Sequence, residues 1–236
     1  IFLTSSLNIS LKGSISFSFI FFGNPPTLAT SLPMSFMTDP KTGAIQADRR
    51  NGLANTHIMW HANQLLALEE GSHPFSLAPD SLDSLGYGLY ADGLSGPMTA
   101  HPKIDPLTGE LHGFGYMSDA MGSPAMTYHV VDAQGRVKRS DTFTAPFAAM
   151  VHDFAVTRDY VLFPLFPLTF DLNRLAQLGS PFAFEVGAGA FIGVLEREAP
   201  VSEIRWIEAR LAKPAAALVR TAHRDSKRKL DSHADS

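Results

Sequence analysis

Cysteine is absent from the 236 residues of this chain. Disulfide staples and thiolate metal sites are thereby excluded, and any metal must be held by His, Asp or Glu. Charge is sparse as well: charged residues make up 18% and the formal net charge is −4, the wrong balance for a general nucleic-acid binder. The apolar run SISFSFIFF at 14–22 is too short to span a bilayer, which takes about 20 residues. Familiar catalytic signatures are missing too. GLSG (93–96) lacks the spacing of a G-x-S-x-G elbow, and GAGAFIG (187–193) has the wrong glycine spacing for a dinucleotide fingerprint. No H-E-x-x-H occurs. The His152–Asp153 pair matches a metal phosphohydrolase motif, but such sites sit among helices and this pair reads as strand.

What is present points to β structure. Sixteen Pro, eighteen Gly and seventeen Phe lean toward a turn-rich all-β protein rather than a helical bundle. A hydrophobic fraction of 45% supports a sizeable core in one domain or two small ones. From about Ala54, short strand patterns alternate with turn chemistry. The runs 56–61 and 64–71 flank Ala62 and Asn63, 98–105 and 110–117 flank Pro106–Gly109, and 125–132 and 136–143 flank Ala133–Gly135. The runs 150–157 and 159–166 are separated by Arg158 alone, so their turn must borrow from both ends. Strand pairs at this pace imply an antiparallel sandwich, barrel or propeller, and no exact repeat selects among them. Asp171 is expected to cap a short helix with Leu172, Leu175 and Leu178 on one side and Gly179 at its end. Residues 188–197 return to strand character.

Both ends differ in composition. Ile1 stands where an initiating Met would, giving the expectation of a fragment or processed product. Residues 1–39 are signal-like in their order of Lys12, apolar run and small residues, and are read as foreign to the domain. From Ser202 the chain is Ala- and Arg-rich, with the expectation of a broken amphipathic helix and a solvated tail. The cluster Lys227, Arg228, Lys229 is too small to imply nucleic-acid binding.

Two segments carry the chemistry: TAHPKIDPLTGEL (99–111) and MVHDFAVTRDYVLF (150–163). Each sets a His, His101 or His152, at an expected strand position among apolar and turn-forming residues. A lone strand His is more often structural than a ligand, so neither stands on its own. His57, His61, His73, His112 and His129 are read as structural or exposed, Asp153 as a backbone or strand-end contact, and the FPLFPL run (163–168) as packing.

Taken together and in order, AHPKIDPLTGELHGFGY, HDFAVTRDYVLFPLFPLTFDL and FIGVLER, preceded by ANTHIMWHANQLLALEEGSHPFSL, resemble the carotenoid cleavage dioxygenases and related lignostilbene dioxygenases over residues 40–206. The resemblance implies part, roughly half, of a seven-bladed β-propeller over 40–206, with 1–39 and 207–236 non-matching. It implies Fe(II) as cofactor and O₂ as co-substrate, His101 and His152 as the first two of four His ligands, and Glu70 as the carboxylate orienting one of them. Glu69–Glu70 reads equally well as a hairpin-end charge pair. The implied reaction splits a C=C bond of an apolar polyene or stilbene into two aldehydes.

The chain departs from the family pattern after Arg205 and Trp206. The third His segment should fall near Ala216, where AKPAAALVRTAH stands instead, and His223 and His233 lack its context. Two ligands of four imply weak or absent iron binding, and a partial ring implies open edges and exposed apolar surface. Stilbene-cleaving members carry Lys next to the orienting glutamate; Glu69 at that place favours a carotenoid or apocarotenoid. An inactive fragment acting as a binding module and an unrelated all-β metal hydrolase stay open as alternatives. A cytoplasmic location without nucleic acid, with peripheral membrane contact for substrate uptake, is expected, and the oligomeric state is left open.

Overall fold

The computed structural model describes residues 3–9, 15–21, 54–90, 92–171, 173–174 and 180–210. The N-terminal strands β1 (Leu3–Ile9) and β2 (Ile15–Phe21) pair antiparallel as a two-stranded sheet of their own. Most of the remainder forms three four-stranded antiparallel sheets in chain order, each a simple meander.

In the first sheet β3 (His57–His61) and β4 (Gln64–Leu68) are joined by Ala62 and Asn63. Both turn residues have positive φ, 50° and 60°, the mirror-image turn whose twist matches that of paired strands. β5 (Phe75–Leu77) and β6 (Ser84–Gly86) complete it. The second sheet contains β7 (Lys103–Ile104), β8 (Leu111–Tyr116), β9 (Ala125–Val131) and β10 (Val137–Thr144). Its β9–β10 turn is organised by Asp132, whose Oδ1 accepts from the backbone N–H groups of Gln134 and Arg136. The third sheet is β11 (Ala155–Val156), β12 (Tyr160–Leu165), β15 (Ala190–Glu196) and β16 (Arg205–Ala209). Between β12 and β15 the chain makes a small hairpin of β13 (Leu168–Phe170) and β14 (Phe182–Phe184).

Three expectations change here. Residues 98–102 are not strand; only Lys103–Ile104 pair with β8, and β11 begins at Ala155. His101 and His152 therefore precede the first strands of their sheets rather than lying within them. The stretch from Arg205 is strand, not helix, because Trp206 and Ile207 pair with Gly193 and Ile192. Asp171 does cap, its Oδ1 accepting from the Asn173 N–H at 2.9 Å, but only 173–174 are described as helical. Leu172, Leu175, Leu178 and Gly179 lie outside the described residues, as do most of 1–39 and all of 211–236.

The core lies between the sheets, not within any one of them. All seven residues of β9 are buried, which requires cover on both faces. Met126, Tyr128 and Val130 join Phe114 and Phe143 against Phe154, Val161, Phe163 and Leu195 of the third sheet. Phe163 is the hub, with ring centroids 5.2 Å from Phe143 and 6.0 Å from Phe114, Tyr128 and Phe154. On the other face Val131 and Leu111 pack with Leu66, Leu68, Tyr90, Leu94 and Met98. Arg197 bolts the second and third sheets together, reaching Asp105 at 2.7 Å and the His112 Nε2 at 2.9 Å. Arg139 adds bonds to the carbonyls of Arg197 and Ala199.

The outer sheets each keep one face without a neighbour among the described residues. On the first, Ile58 and Trp60 sit opposite Ala67 and Leu65 and are 51% and 50% exposed. On the third, Ile207 opposite Ile192 is 53% exposed. A meander sheet with one covered and one open apolar face is what a slice of a propeller presents.

Burial holds His112 and His129 neutral. His129 Nε2–H donates to the Pro97 carbonyl and its Nδ1 faces the Ser140 hydroxyl, both at 2.9 Å. His112 Nε2 must accept from Arg197, so its Nδ1–H donates to the Tyr128 oxygen. Burial pushes both imidazoles down to about 4, and the Arg197 charge adds to the effect at His112. Between pH 4 and the ordinary value near 6.5 the unfolded chain binds protons that the folded chain refuses, so stability is full above about 6.5 and falls as pH drops. The loss at pH 4 is expected to be at most about 3 kcal/mol for each histidine. Urea midpoints across this range measure it, and His129→Asn is expected to flatten the slope by about one proton.

Gly115 imposes a second constraint. A Cβ there would lie 2.3 Å from the Pro97 carbonyl oxygen, so only glycine lets the segment leading to His101 lie on β8. Gly115→Ala is expected to cost about 1–3 kcal/mol by overpacking, read as a lowered thermal midpoint.

Candidate metal centre

The segment 97–101 approaches β8 closely enough for the Thr99 N–H to bond the Phe114 carbonyl at 2.6 Å. The Thr99 hydroxyl in turn accepts from the His101 N–H at 3.1 Å. These contacts fix the turn that presents the His101 ring. His57, on β3, donates its Nδ1–H to the Ala100 carbonyl at 2.8 Å and stacks on His101 with centroids 5.8 Å apart. His57 is structural, as expected, but it supports the residue that matters.

His101 and His152 come from different sheets and meet with their Nε2 atoms 3.0 Å apart. The His152 Nδ1 bonds the Glu70 carboxylate. An ionised carboxylate only accepts, so Nδ1 carries the proton and, in neutral His152, Nε2 keeps its lone pair. The other carboxylate oxygen of Glu70 accepts the Tyr116 hydroxyl at 2.8 Å. Glu70 follows β4, Tyr116 ends β8 and His152 precedes β11, so all three sheets contribute. Of the two readings of Glu69–Glu70, the charge pair is not seen: Glu69 turns its carboxylate onto the Glu70 N–H at 3.1 Å.

Electrostatics divide the two histidines. Burial lowers the His101 imidazole below its usual range, with the charge on His152 acting in the same direction. The hydrogen bond to Glu70 outweighs burial at His152 and raises it. Burial, reinforced by the Glu70 charge, lifts the Tyr116 phenol well above its usual value, so it stays a neutral donor.

A second bridge runs beside the first. Lys103, two residues after His101, bonds Asp153, next to His152, at 2.7 Å. The same Asp153 oxygen accepts the Phe154 N–H at 2.8 Å, the backbone contact expected of it. Among the described residues no group of three or more His, Cys, Asp or Glu is placed to hold a metal. His61, His73, His112 and His129 are all buried away from the pair. Tyr116 and Lys103 were not singled out by sequence. The signal for Tyr116 is its period-two placement with Phe114, which sends both side chains to the third-sheet face of β8.

Comparison with known proteins gives this arrangement a lineage. The family model described as retinal pigment epithelial membrane protein matches residues 13–217. Isoeugenol monooxygenase of Pseudomonas nitroreducens is 40% identical over 159 residues, 66% of this chain and 33% of that one. The lignostilbene dioxygenase of Pseudomonas brassicacearum superposes with a TM-score of 0.67 at 31% identity, over 88% of this chain and 44% of that one. Cobalt-substituted apocarotenoid oxygenase of Synechocystis does so with a TM-score of 0.56 at 31% identity, over 67% and 35%. The chain spans about a third of the length of the relatives it matches by sequence, with 33% for the first. The three sheets are accordingly blades of a carotenoid-oxygenase propeller.

The Lys103–Asp153 pair is one-third exposed on both sides, 36% and 31%, and exposed pairs contribute about 0.2–1 kcal/mol. A double-mutant cycle of Lys103→Met and Asp153→Asn is expected to give a coupling within that range by urea unfolding.

Proposed function

This chain belongs to the carotenoid oxygenase family, that of retinal pigment epithelial membrane protein, and on that premise we propose that it contributes half of an iron site that splits a conjugated C=C bond with O₂. The observation carrying this reading is the 3.0 Å separation of the His101 and His152 Nε2 atoms. Two imidazole nitrogens brought this close from different blades could serve as ligands to one ion. Their donor type also fits, since imidazole suits iron and leaves the choice of geometry open. Glu70 fixes the ring of His152 through Nδ1, the usual outer partner of a metal-binding His.

The chemistry that ferrous iron supplies when bound is activation of O₂ beside a substrate double bond, which then yields two carbonyl products. His101 and His152 would hold it through Nε2. Glu70 keeps the proton of His152 on Nδ1, and the turn through Thr99 and Ala100 keeps His101 in place. Phe154, two residues after His152, is buried in the core between the second and third blades and anchors that segment.

Isoeugenol, lignostilbene and apocarotenoid, in the names of the relatives, share a conjugated alkene in a largely apolar molecule. That is the proposed substrate class. Glu69 in place of the lysine of stilbene-cleaving members, with its carboxylate folded onto the Glu70 N–H, favours a polyene. The absence of a third donor among the described residues supports a second reading for this stretch taken alone: cation binding without turnover.

The 236-residue chain is expected to bind one Co(II) weakly, and His101→Ala or His152→Ala to lower the affinity at least tenfold by titration calorimetry. Binding untouched by both substitutions would overturn the site. Aldehyde release from an apocarotenal by the Fe(II)-loaded chain, above the His101→Ala background, supports turnover; none supports the binding reading.

A further inference from the structure

The Glu70 carboxylate has two oxygens and two partners on different blades. One oxygen meets the His152 Nδ1 and the other accepts the Tyr116 hydroxyl at 2.8 Å. Glu70 lies in the coil after β4, where no regular ladder fixes its side chain. Without a second anchor the carboxylate could rotate about its last bond and present either oxygen, or neither, to His152. Tyr116 is on β8, a strand buried over nearly its whole length, and its ring packs against the cluster around Phe163. Its hydroxyl is therefore placed by the core itself, not by the loop it holds.

We propose that Tyr116 is a positioning residue that locks the Glu70 carboxylate and, through it, sets which ring nitrogen of His152 carries the proton. The lock runs from the second blade to the first and then to the third. It leaves the His152 Nε2 lone pair aimed at the His101 Nε2, 3.0 Å away. The phenol suits the task because burial favours its neutral, donating form. Tyr116 bonds Glu70 and not either histidine, so its role is positioning. The idea rests on the iron-site reading for its purpose, but the proton position it predicts exists without metal.

The test is Tyr116→Phe in the 236-residue chain, which keeps the packed ring and removes one hydroxyl. Long-range ¹H–¹⁵N spectra of the metal-free protein at mildly alkaline pH read the tautomer of His152. The native chain is expected to show Nδ1–H alone, and the variant a mixture with Nε2–H. Affinity for Co(II) is expected to fall about three- to tenfold, less than the 10–100-fold typical of losing the directly bonded partner. An unchanged tautomer with unchanged Co(II) affinity would overturn the proposal. Should the variant not fold, the native chain still decides: a slowly exchanging downfield hydroxyl proton on Tyr116 supports the lock, and its absence overturns it. A chain that binds no Co(II) yet shows the tautomer change removes the iron reading and leaves the role of Tyr116 standing.

Discussion

The middle blade must bury both of its faces, and the rest of the structure follows from that. β9 is buried at every residue, so it needs a sheet on each side of it. Phe163 and its ring of aromatic neighbours satisfy one face; Leu66, Leu68 and Met98 satisfy the other. Because neighbouring blades are pressed together along their faces, the segments leading into their first strands converge at one end. His101 and His152, 51 residues apart in the chain, meet there for that reason.

Several polar groups at the seams are bonded to one another before any ligand arrives. Arg197 joins Asp105 and His112, His129 joins Pro97 and Ser140, and Glu70 joins Tyr116 and His152. The two seams differ in kind. Between the second and third blades the bridges include ion pairs; between the first and second, His57 and His61 bond the backbone carbonyls of Ala100 and Gly109. A buried neutral histidine gives direction without the desolvation cost of an ion. Of the negative groups near the metal-centre histidines, Glu70 is bonded at both oxygens and Asp153 pairs with Lys103.

Much of this could be read from the sequence, and the limits have physical causes. The turns at Ala62–Asn63 and Ala133–Gly135 were legible because turn chemistry is local. The two histidines and Glu70 were legible through the family resemblance, not through spacing. Their true setting was not: HPK and HDF read as strand by alternation, yet Pro97 and Pro102 and the close approach to Gly113 and Gly115 keep the first of them in a coil. The strand at Arg205–Ala209 was hidden by Ala and Arg, residues that favour helix until a partner strand overrides them. Tyr116 and the Lys103–Asp153 bridge depend on which blades are neighbours, which no local pattern encodes.

The two open faces at the ends of the arc give the chain a built-in optical asymmetry. It has two tryptophans. Trp60 stands half exposed on the outer face of the first blade. Trp206 is packed against the cluster between the second and third, 6.4 Å from the Phe143 ring and tight against Gly193. A dissolved collisional quencher reaches the first indole far more readily than the second. Emission resolved by quenching thus separates the solvent-facing end of the arc from its interior seam. Loosening of the third blade would appear as a red shift of the protected component while the accessible one stays as it was.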